Sequence, residues 1–286
     1  MEALVRYPRL FASLVKIEHT VFALPFAYVG AFLAVDGVPS AADLFWVTVA
    51  MVGARSLAMA LNRLIDAEID ARNPRTAGRE IPRGALSRPA VIAFCLVSLA
   101  VFLLAVSQLA PLVRWLWPIP VAMFVVYPYL KRMTWLAHGW LGAVDGLAPL
   151  GAWIAVTNEM PWEAWALGAA VAFWVAGFDL LYALFDLEID RTQGLHSFPT
   201  RFGVPATFWA ARACHVLTVA FLMLTGLGLP AGALYWLGVA AVAGLLAYEH
   251  SLVSPGDQRR LDAAFFTMNG VISLTFFGFC LADVLA

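Results

Sequence analysis

The sequence predicts an all-α membrane protein, a bundle of nine transmembrane helices with a four-helix pseudo-repeat, and three observations predict it. First, hydrophobic residues make up 62% of the 286 residues and charged ones 13%, with a mean hydropathy of +0.81. A soluble globular chain carries about 45–50% and about 25% respectively. Second, nine apolar runs approach the roughly 20 residues that a membrane-spanning helix needs. Third, basic residues gather on alternate connections between those runs. The composition excludes a disordered chain, a coiled coil and a nucleic-acid binder with a basic face.

The runs cover residues 17–35, 41–65, 89–110, 114–130, 135–157, 162–185, 204–229, 231–249 and 263–285. Turn chemistry separates several of them. Asp36-Gly37-Val38-Pro39-Ser40 follows the first, Asn158-Glu159-Met160-Pro161 the fifth and Gly228-Leu229-Pro230 the seventh. Residues 1–16 hold Arg6, Arg9 and Lys16 ahead of the first run, which lacks a small-residue cleavage site. A retained first span is therefore expected rather than a removed signal peptide. Residues 1–286 read as a single intramembrane domain. Cys95, Cys214 and Cys280 all sit in apolar stretches and read as small core residues.

Of the 18 Lys and Arg residues, 15 fall on the N-terminus or on the connections after even-numbered runs. Arg114 alone falls on the other side, and Arg55 and Arg212 lie inside runs. Positive charge marks the cytoplasmic side of short loops. The N-terminus and the even-to-odd connections are thus expected to be cytoplasmic, in a bacterial-type cytoplasmic membrane.

One internal repeat stands out. Residues 61–70, LNRLIDAEID, match residues 181–190, LYALFDLEID, at six of ten positions and an offset of 120. Each copy closes an even-numbered run, so both are expected at the cytoplasmic surface. Asp66 and Asp70 are four apart, hence on one helical face, with Asn62 one turn deeper. Asp186 and Asp190 repeat this spacing, with Tyr182 one turn deeper. Like charges at this spacing repel. A solvated helix end with arginines nearby tolerates one such pair but does not explain its repetition. Divalent cation binding does. Oxygen ligands without His or Cys suit Mg²⁺, which keeps open positions that substrate phosphate fills. Two facing Asp pairs suggest a bridged diphosphate, with Asn62, Asp66, Asp70, Asp186 and Asp190 as metal ligands.

Donors accompany the acidic motifs. Arg72, Arg75 and Arg79 follow the first, and Arg191, His196 and Arg201 the second. Tyr127 and Lys131-Arg132 end the fourth run on the same side. Arg72, Arg75, Tyr127, Lys131, Tyr182 and His196 are the candidate diphosphate ligands, with Arg75 and Lys131 foremost. Membrane orientation alone also accounts for basic residues in these loops.

These residues resemble the UbiA-type intramembrane prenyltransferases. The likeness rests on Asn62-x3-Asp66-x3-Asp70, Arg75-Thr76-x2-Arg79, Tyr127-Pro128-x2-Lys131-Arg132 and Asp179-x2-Tyr182-Ala183-x2-Asp186-x3-Asp190. It covers roughly residues 14–205. Ile17-Glu18-His19-Thr20-Val21-Phe22-Ala23-Leu24-Pro25 looks most like the branch that prenylates small aromatic acids for quinone biosynthesis. That branch includes 4-hydroxybenzoate polyprenyltransferases and relatives acting on a dihydroxynaphthoate in a menaquinone route. Two positions depart from the 4-hydroxybenzoate pattern: Arg63 stands where an Asp is common, and His196 where a Lys is common.

The resemblance implies an enzyme. Mg²⁺ on the Asp clusters would hold a polyprenyl diphosphate and stabilise leaving pyrophosphate, and the aromatic ring would attack the allylic cation. The implied partners are polyprenyl diphosphate, the aromatic acid and membrane lipid, with no nucleic acid and no obligate protein partner. Arg55, Asp145, Asp179 and Arg212 lie within apolar runs, where ionisable groups are functional-site hypotheses. Arg55 is the candidate for the acceptor carboxylate, with Lys16 and His19 at the entrance as alternatives. Structural pairs Arg55–Asp145 and Asp179–Arg212 are the competing reading. Two other classes remain open: a cation or carboxylate transporter, and a phospholipid-forming phosphotransferase. Transporters bind near the midplane, whereas these Asp pairs sit at the rim. The phosphotransferase needs Ala54-Arg55 and Asp145-Gly146 in one continuous motif, and here they fall in different runs.

Overall fold

The computed structural model describes residues 2–16, 20–256 and 267–286. Its regular elements are helices, joined by short connections. They run α1 (Glu2–Val15), α2 (Thr20–Val35), α3 (Ala41–Ile65), α4 (Ala67–Arg72), α5 (Arg88–Ser107), α6 (Pro111–Leu116), α7 (Pro118–Leu130), α8 (Ala137–Thr157) and α9 (Trp162–Tyr182). A 3₁₀ turn (Ala183–Asp186) then leads to α10 (Leu187–Gln193), α11 (Phe198–Gly228), α12 (Ala233–Leu252) and α13 (Asn269–Leu285). Among the described residues, seven helical stretches are long and apolar enough to cross a membrane. Leu24–Val35 and Asn269–Leu285 are apolar but shorter. Residues 17–19 of the first expected run and 263–266 of the ninth lie outside the described residues. The chain is a multi-pass membrane protein.

Polar side chains and prolines set the helix starts. Ser40 caps α3 by accepting from the Asp43 N–H at 3.0 Å, and Ser87 caps α5 through Ala90 at 3.3 Å. Pro111 and Pro118 open α6 and α7, which splits the fourth apolar run in two. Ser197 and Thr200 form a capping box at the start of α11. Asn158 ends α8 in a left-handed conformation (φ 61°), and its Oδ1 accepts from the Leu112 N–H at 2.8 Å. That bond ties α8 to α6.

The core centres on α9, which packs against both α8 and α11. Its Leu167, Val171 and Trp174 meet Phe26 and Val29 of α2, Trp153 of α8 and Leu222 of α11. Tyr235 and Phe276 extend this cluster into α12 and α13. A helix apolar on all sides belongs inside such a bundle. On the outer helices the apolar side chains face outward instead, as Leu96, Trp115, Trp209 and Leu227 do. A second cluster joins Leu14 of α1 to Leu57 and Ala60 of α3 and Val91 of α5.

Small residues let the central helices approach closely. A Cβ at Gly142 would lie 2.2 Å from the Ala172 carbonyl oxygen, and one at Gly146 would lie 2.5 Å from that of Gly168. Gly30 of α2 meets the Pro149 oxygen in the same way, at 2.3 Å. Membrane helices pack through such contacts, because lipid removes the hydrophobic drive between them.

The repeated motif is a repeated local structure. Each copy runs as a long helix, a break at the first aspartate, and a short second helix. Asp66 breaks the first (φ −90°, ψ 2°) and Asp186 the second (φ −103°, ψ 1°). The two aspartates of each motif therefore flank a bend instead of lying on one straight helix. Contacts across the bend link the α3–α5, α7–α8 and α9–α11 connections at one end of the bundle.

The crossing geometry predicts a contrast within α8. Gly142→Ala should lower the thermal unfolding midpoint in detergent, because overpacking costs about 1–3 kcal/mol. Gly151→Ala should not, since a Cβ there meets nothing within 4 Å. Equal midpoints for the two variants would contradict the close α8–α9 crossing.

Candidate active site

At the end of the bundle where the acidic motifs meet, a polar cavity of about 190 Å³ opens between α3, α4, α7, α8, α9 and α10. Asn62, Asp70, Arg75, Tyr127, Lys131, Tyr182, Asp186, Asp190 and His196 line it. These nine candidates, spread over 135 positions of sequence from Asn62 to His196, come together because three connections converge there.

Each of three carboxylates is held by a cation from another segment. Asp66 is 1% exposed and sits behind the cavity wall, with Lys131 Nζ 2.6 Å from its Oδ2 and Arg132 Nη2 3.2 Å from its Oδ1. Asn62 Nδ2 donates to Asp66 Oδ2 at 3.3 Å, one turn along α3. Asp70 pairs with Arg79 Nη1 at 2.6 Å. Asp186 takes two bonds from Arg75, one of them from Nε at 2.9 Å, and a third from Asn73 Nδ2 at 2.9 Å. Arg75 Nη1 also donates to the Tyr182 hydroxyl at 2.9 Å. The backbone N–H of His196 donates to the Lys131 carbonyl at 2.7 Å, which fixes the loop before α11 against the end of α7.

These pairings set the charge states. Burial pushes the Asp66 carboxyl above its ordinary pKa, while Lys131 and Arg132 pull it back part of the way. Burial works to lower Arg75, but its bonds to Asp186 and Tyr182 outweigh that, so its guanidinium is held above its ordinary pKa. Glu68 and Glu188, off the aspartate faces, are 75% and 82% exposed and pair with Arg88 and Arg191.

Other candidates lie elsewhere. Arg72 is exposed and does not line the cavity. Lys16 closes α1 with a left-handed backbone (φ 47°), also outside the cavity wall. His19, like Glu18, lies outside the described residues. Arg55 sits deeper in α3, with its Nε buried and without a hydrogen bond. Among the described residues no ion pair within 4.0 Å joins it to Asp145, although the two interact electrostatically.

The alternative Asp179–Arg212 pair does not form. Asp179 bonds instead to His138 Nδ1, at 2.7 Å from its Oδ2, and the Arg212 guanidinium lies 5.2 Å from the Trp209 ring centroid. Equal depth on neighbouring helices does not make two side chains face each other. His138 and Asn73 are site residues that the sequence reading passed over. Asn73-Pro74 is a turn signal, and Asn73 Oδ1 does accept from the Arg75 N–H at 2.9 Å. His138 carried the weaker mark of a titratable group inside an apolar run.

The donor set fits a hard divalent cation. Asp70, Asp186 and Asp190 in the wall, Asp66 behind it and the Asn62 amide offer oxygen ligands, the kind Mg²⁺ prefers. Among the described residues no three His, Cys, Asp or Glu side chains already converge on one point, because the carboxylates turn to Lys131, Arg75, Arg79 and Arg132. One cavity thus holds both kinds of partner a metal-bound phosphate ester needs: carboxylates for the metal and cations for the phosphate oxygens.

Residues 23–271 match the UbiA prenyltransferase family. A 4-hydroxybenzoate octaprenyltransferase of Aliivibrio fischeri (strain MJ11) is 30% identical over 274 residues, covering 96% of this chain and 92% of that protein. The apo structure of a UbiA homolog from Aeropyrum pernix K1 superposes with a TM-score of 0.85 at 32% identity, covering 93% of this chain and 98% of the other. A UbiA homolog from Archaeoglobus fulgidus, bound to GPP and Mg²⁺, shares the fold at a TM-score of 0.72 and 17% identity, over 97% of this chain and all of that one. This chain belongs to the UbiA prenyltransferase family.

Proposed function

We propose that this protein transfers a polyprenyl group from polyprenyl diphosphate to a small aromatic acid of the 4-hydroxybenzoate type, with Mg²⁺ as cofactor. The observation that carries the reading is the cavity in which Asp70, Asp186 and Asp190 face Arg75 and Lys131. The relative's name supplies the acceptor class, and the Archaeoglobus fulgidus complex supplies the precedent for a prenyl diphosphate with Mg²⁺. A dihydroxynaphthoate is the second acceptor to try.

In this reading Asn62, Asp66, Asp70, Asp186 and Asp190 would hold the metal, which when bound neutralises charge on the leaving pyrophosphate. Arg75 and Lys131 leave their carboxylates and grip the diphosphate oxygens, with Tyr127, Tyr182 and His196 completing the wall. Arg72 serves from the rim. The prenyl tail runs into the apolar bundle. The acceptor lies deeper, where Arg55, seven residues before Asn62 and about 10 Å below it, takes its carboxylate. Lys16 and His19 are the alternatives for that role. The basic end of the bundle faces the cytoplasm, with the N-terminus on the same side.

The assay is incubation of the purified protein with Mg²⁺, a polyprenyl diphosphate and a panel of aromatic acids, with the lipid product identified by mass. A prenylated acid is expected, EDTA should abolish it, and added Mg²⁺ should restore it. Asp66→Asn and Asp186→Asn should lose orders of magnitude in turnover while staying folded. More than a tenth of the wild-type rate in either would remove that residue from the site. In the same assay Arg55→Leu should raise the acceptor KM or lower kcat, with prenyl diphosphate binding unchanged. Normal acceptor kinetics would assign Arg55 to structure. For orientation, a cytoplasm-dependent reporter should be active at the N-terminus and silent at the C-terminus; the reverse pattern would invert the proposed topology.

A further inference from the structure

We propose that Asp179, held in place by His138, accepts the proton that the aromatic ring must lose when the new carbon–carbon bond forms. The proposal rests on the prenyl-transfer reading above and adds a residue to it.

The chemistry requires such a group. The allylic cation bonds to a ring carbon, which then carries both the prenyl group and its original hydrogen. That C–H bond breaks, its electron pair restores the aromatic ring, and the proton needs an acceptor. The acceptor must lie beside the ring and below the diphosphate. It must also be free of the cations that bind the diphosphate.

The carboxylates at the mouth do not meet this need. Asp70 is tied to Arg79 and Asp186 to Arg75 and Asn73. Asp66 lies behind the wall under Lys131 and Arg132. Asp190 lines the mouth itself, on α10. Asp179 differs in both depth and partner. It lies on α9, seven residues ahead of Asp186 and on the bundle side of the 3₁₀ turn that carries that residue. It lines the cavity, and its partner is a histidine rather than an Arg or Lys.

The hydrogen-bond network fixes how Asp179 is presented. The Phe198 backbone N–H points at His138 Nε2, 3.3 Å away. Nε2 is therefore the acceptor, and the ring proton sits on Nδ1, which donates to Asp179 Oδ2 at 2.7 Å. His138 holds one carboxylate oxygen without itself offering a base to the cavity. Oδ1 of Asp179 takes no hydrogen bond from any described residue. The support comes from the start of α11, where the Ser197–Thr200 capping box fixes the Phe198 amide. His138 is thus a positioning residue and Asp179 the group that meets the acceptor.

The test compares an acceptor deuterated at the reacting ring carbons with its protiated form, in the purified full-length protein with Mg²⁺ and polyprenyl diphosphate. Pyrophosphate release and prenylated product are measured together. In the wild type the two are expected in equal amounts, with nearly equal rates for the two acceptors. In Asp179→Asn, loss of a proton acceptor should slow product formation by about a hundredfold or more. Pyrophosphate release should fall less, and the protiated acceptor should now react faster than the deuterated one. His138→Leu, which leaves the carboxylate but removes its support, should show the same isotope preference to a smaller degree. His138→Gln keeps a donor and should stay nearer the wild type. If neither Asp179→Asn nor His138→Leu changes the isotope ratio or uncouples pyrophosphate from product, the proposal is overturned, even where both are slow. If only one folds, its isotope ratio decides. A wild type that prenylates no acid in the panel would overturn the parent reading, and this proposal with it.

Discussion

Opposite charges gathered at one end of an apolar bundle are the constraint on which the rest of this structure depends. A carboxylate as buried as Asp66 is costly without a partner. Two cations from the end of α7 answer it, and they come from 65 and 66 positions away in sequence. Removing one side of a well-buried pair costs about 3–5 kcal/mol, and the partial exposure of Lys131 and Arg132 reduces that figure here. Such pairs are poor sources of net stability. Their value is in register: they bind the α3–α5, α7–α8 and α9–α11 connections into one wall.

The bundle is built to deliver those connections to one place. Three central helices cross where Gly30, Gly142 and Gly146 leave no room for a side chain, so α2, α8 and α9 set the spacing of everything around them. The two long helices carrying the acidic motifs both break at their first aspartate. The break turns the second aspartate of each motif toward the cavity from the short helix that follows. Elsewhere in the same cavity His138 replaces Arg and Lys as the partner of a carboxylate.

Much of this was legible in the sequence because membrane spans and their charge asymmetry are written in composition. The apolar runs at 41–65, 89–110, 135–157 and 162–185 lie close to α3, α5, α8 and α9. The repeated LxxLxDxEID pattern pointed to Asp66, Asp70, Asp186 and Asp190, and Arg75 and Lys131 followed from their place in connections on the same side. Two features were not legible, each for a physical reason. The bends at Asp66 and Asp186 come from tertiary pairing, which overrides a helical spacing of four. The partner of Asp179 depends on the rotation of α8 and α11 about their axes. Depth alone pointed to Arg212, and a lone histidine in an apolar run drew less attention than an arginine.

The central claim is that carboxylates and cations hold one another until metal and diphosphate arrive together. Titration calorimetry of the purified protein tests it most directly, with Mg²⁺ added in the absence and in the presence of a non-reactive prenyl diphosphate analogue. The account predicts weak Mg²⁺ binding alone, and at least about tenfold tighter binding with the diphosphate, a coupling of about 1.4 kcal/mol that must be reciprocal. Mg²⁺ binding equally tightly with and without the diphosphate would contradict it.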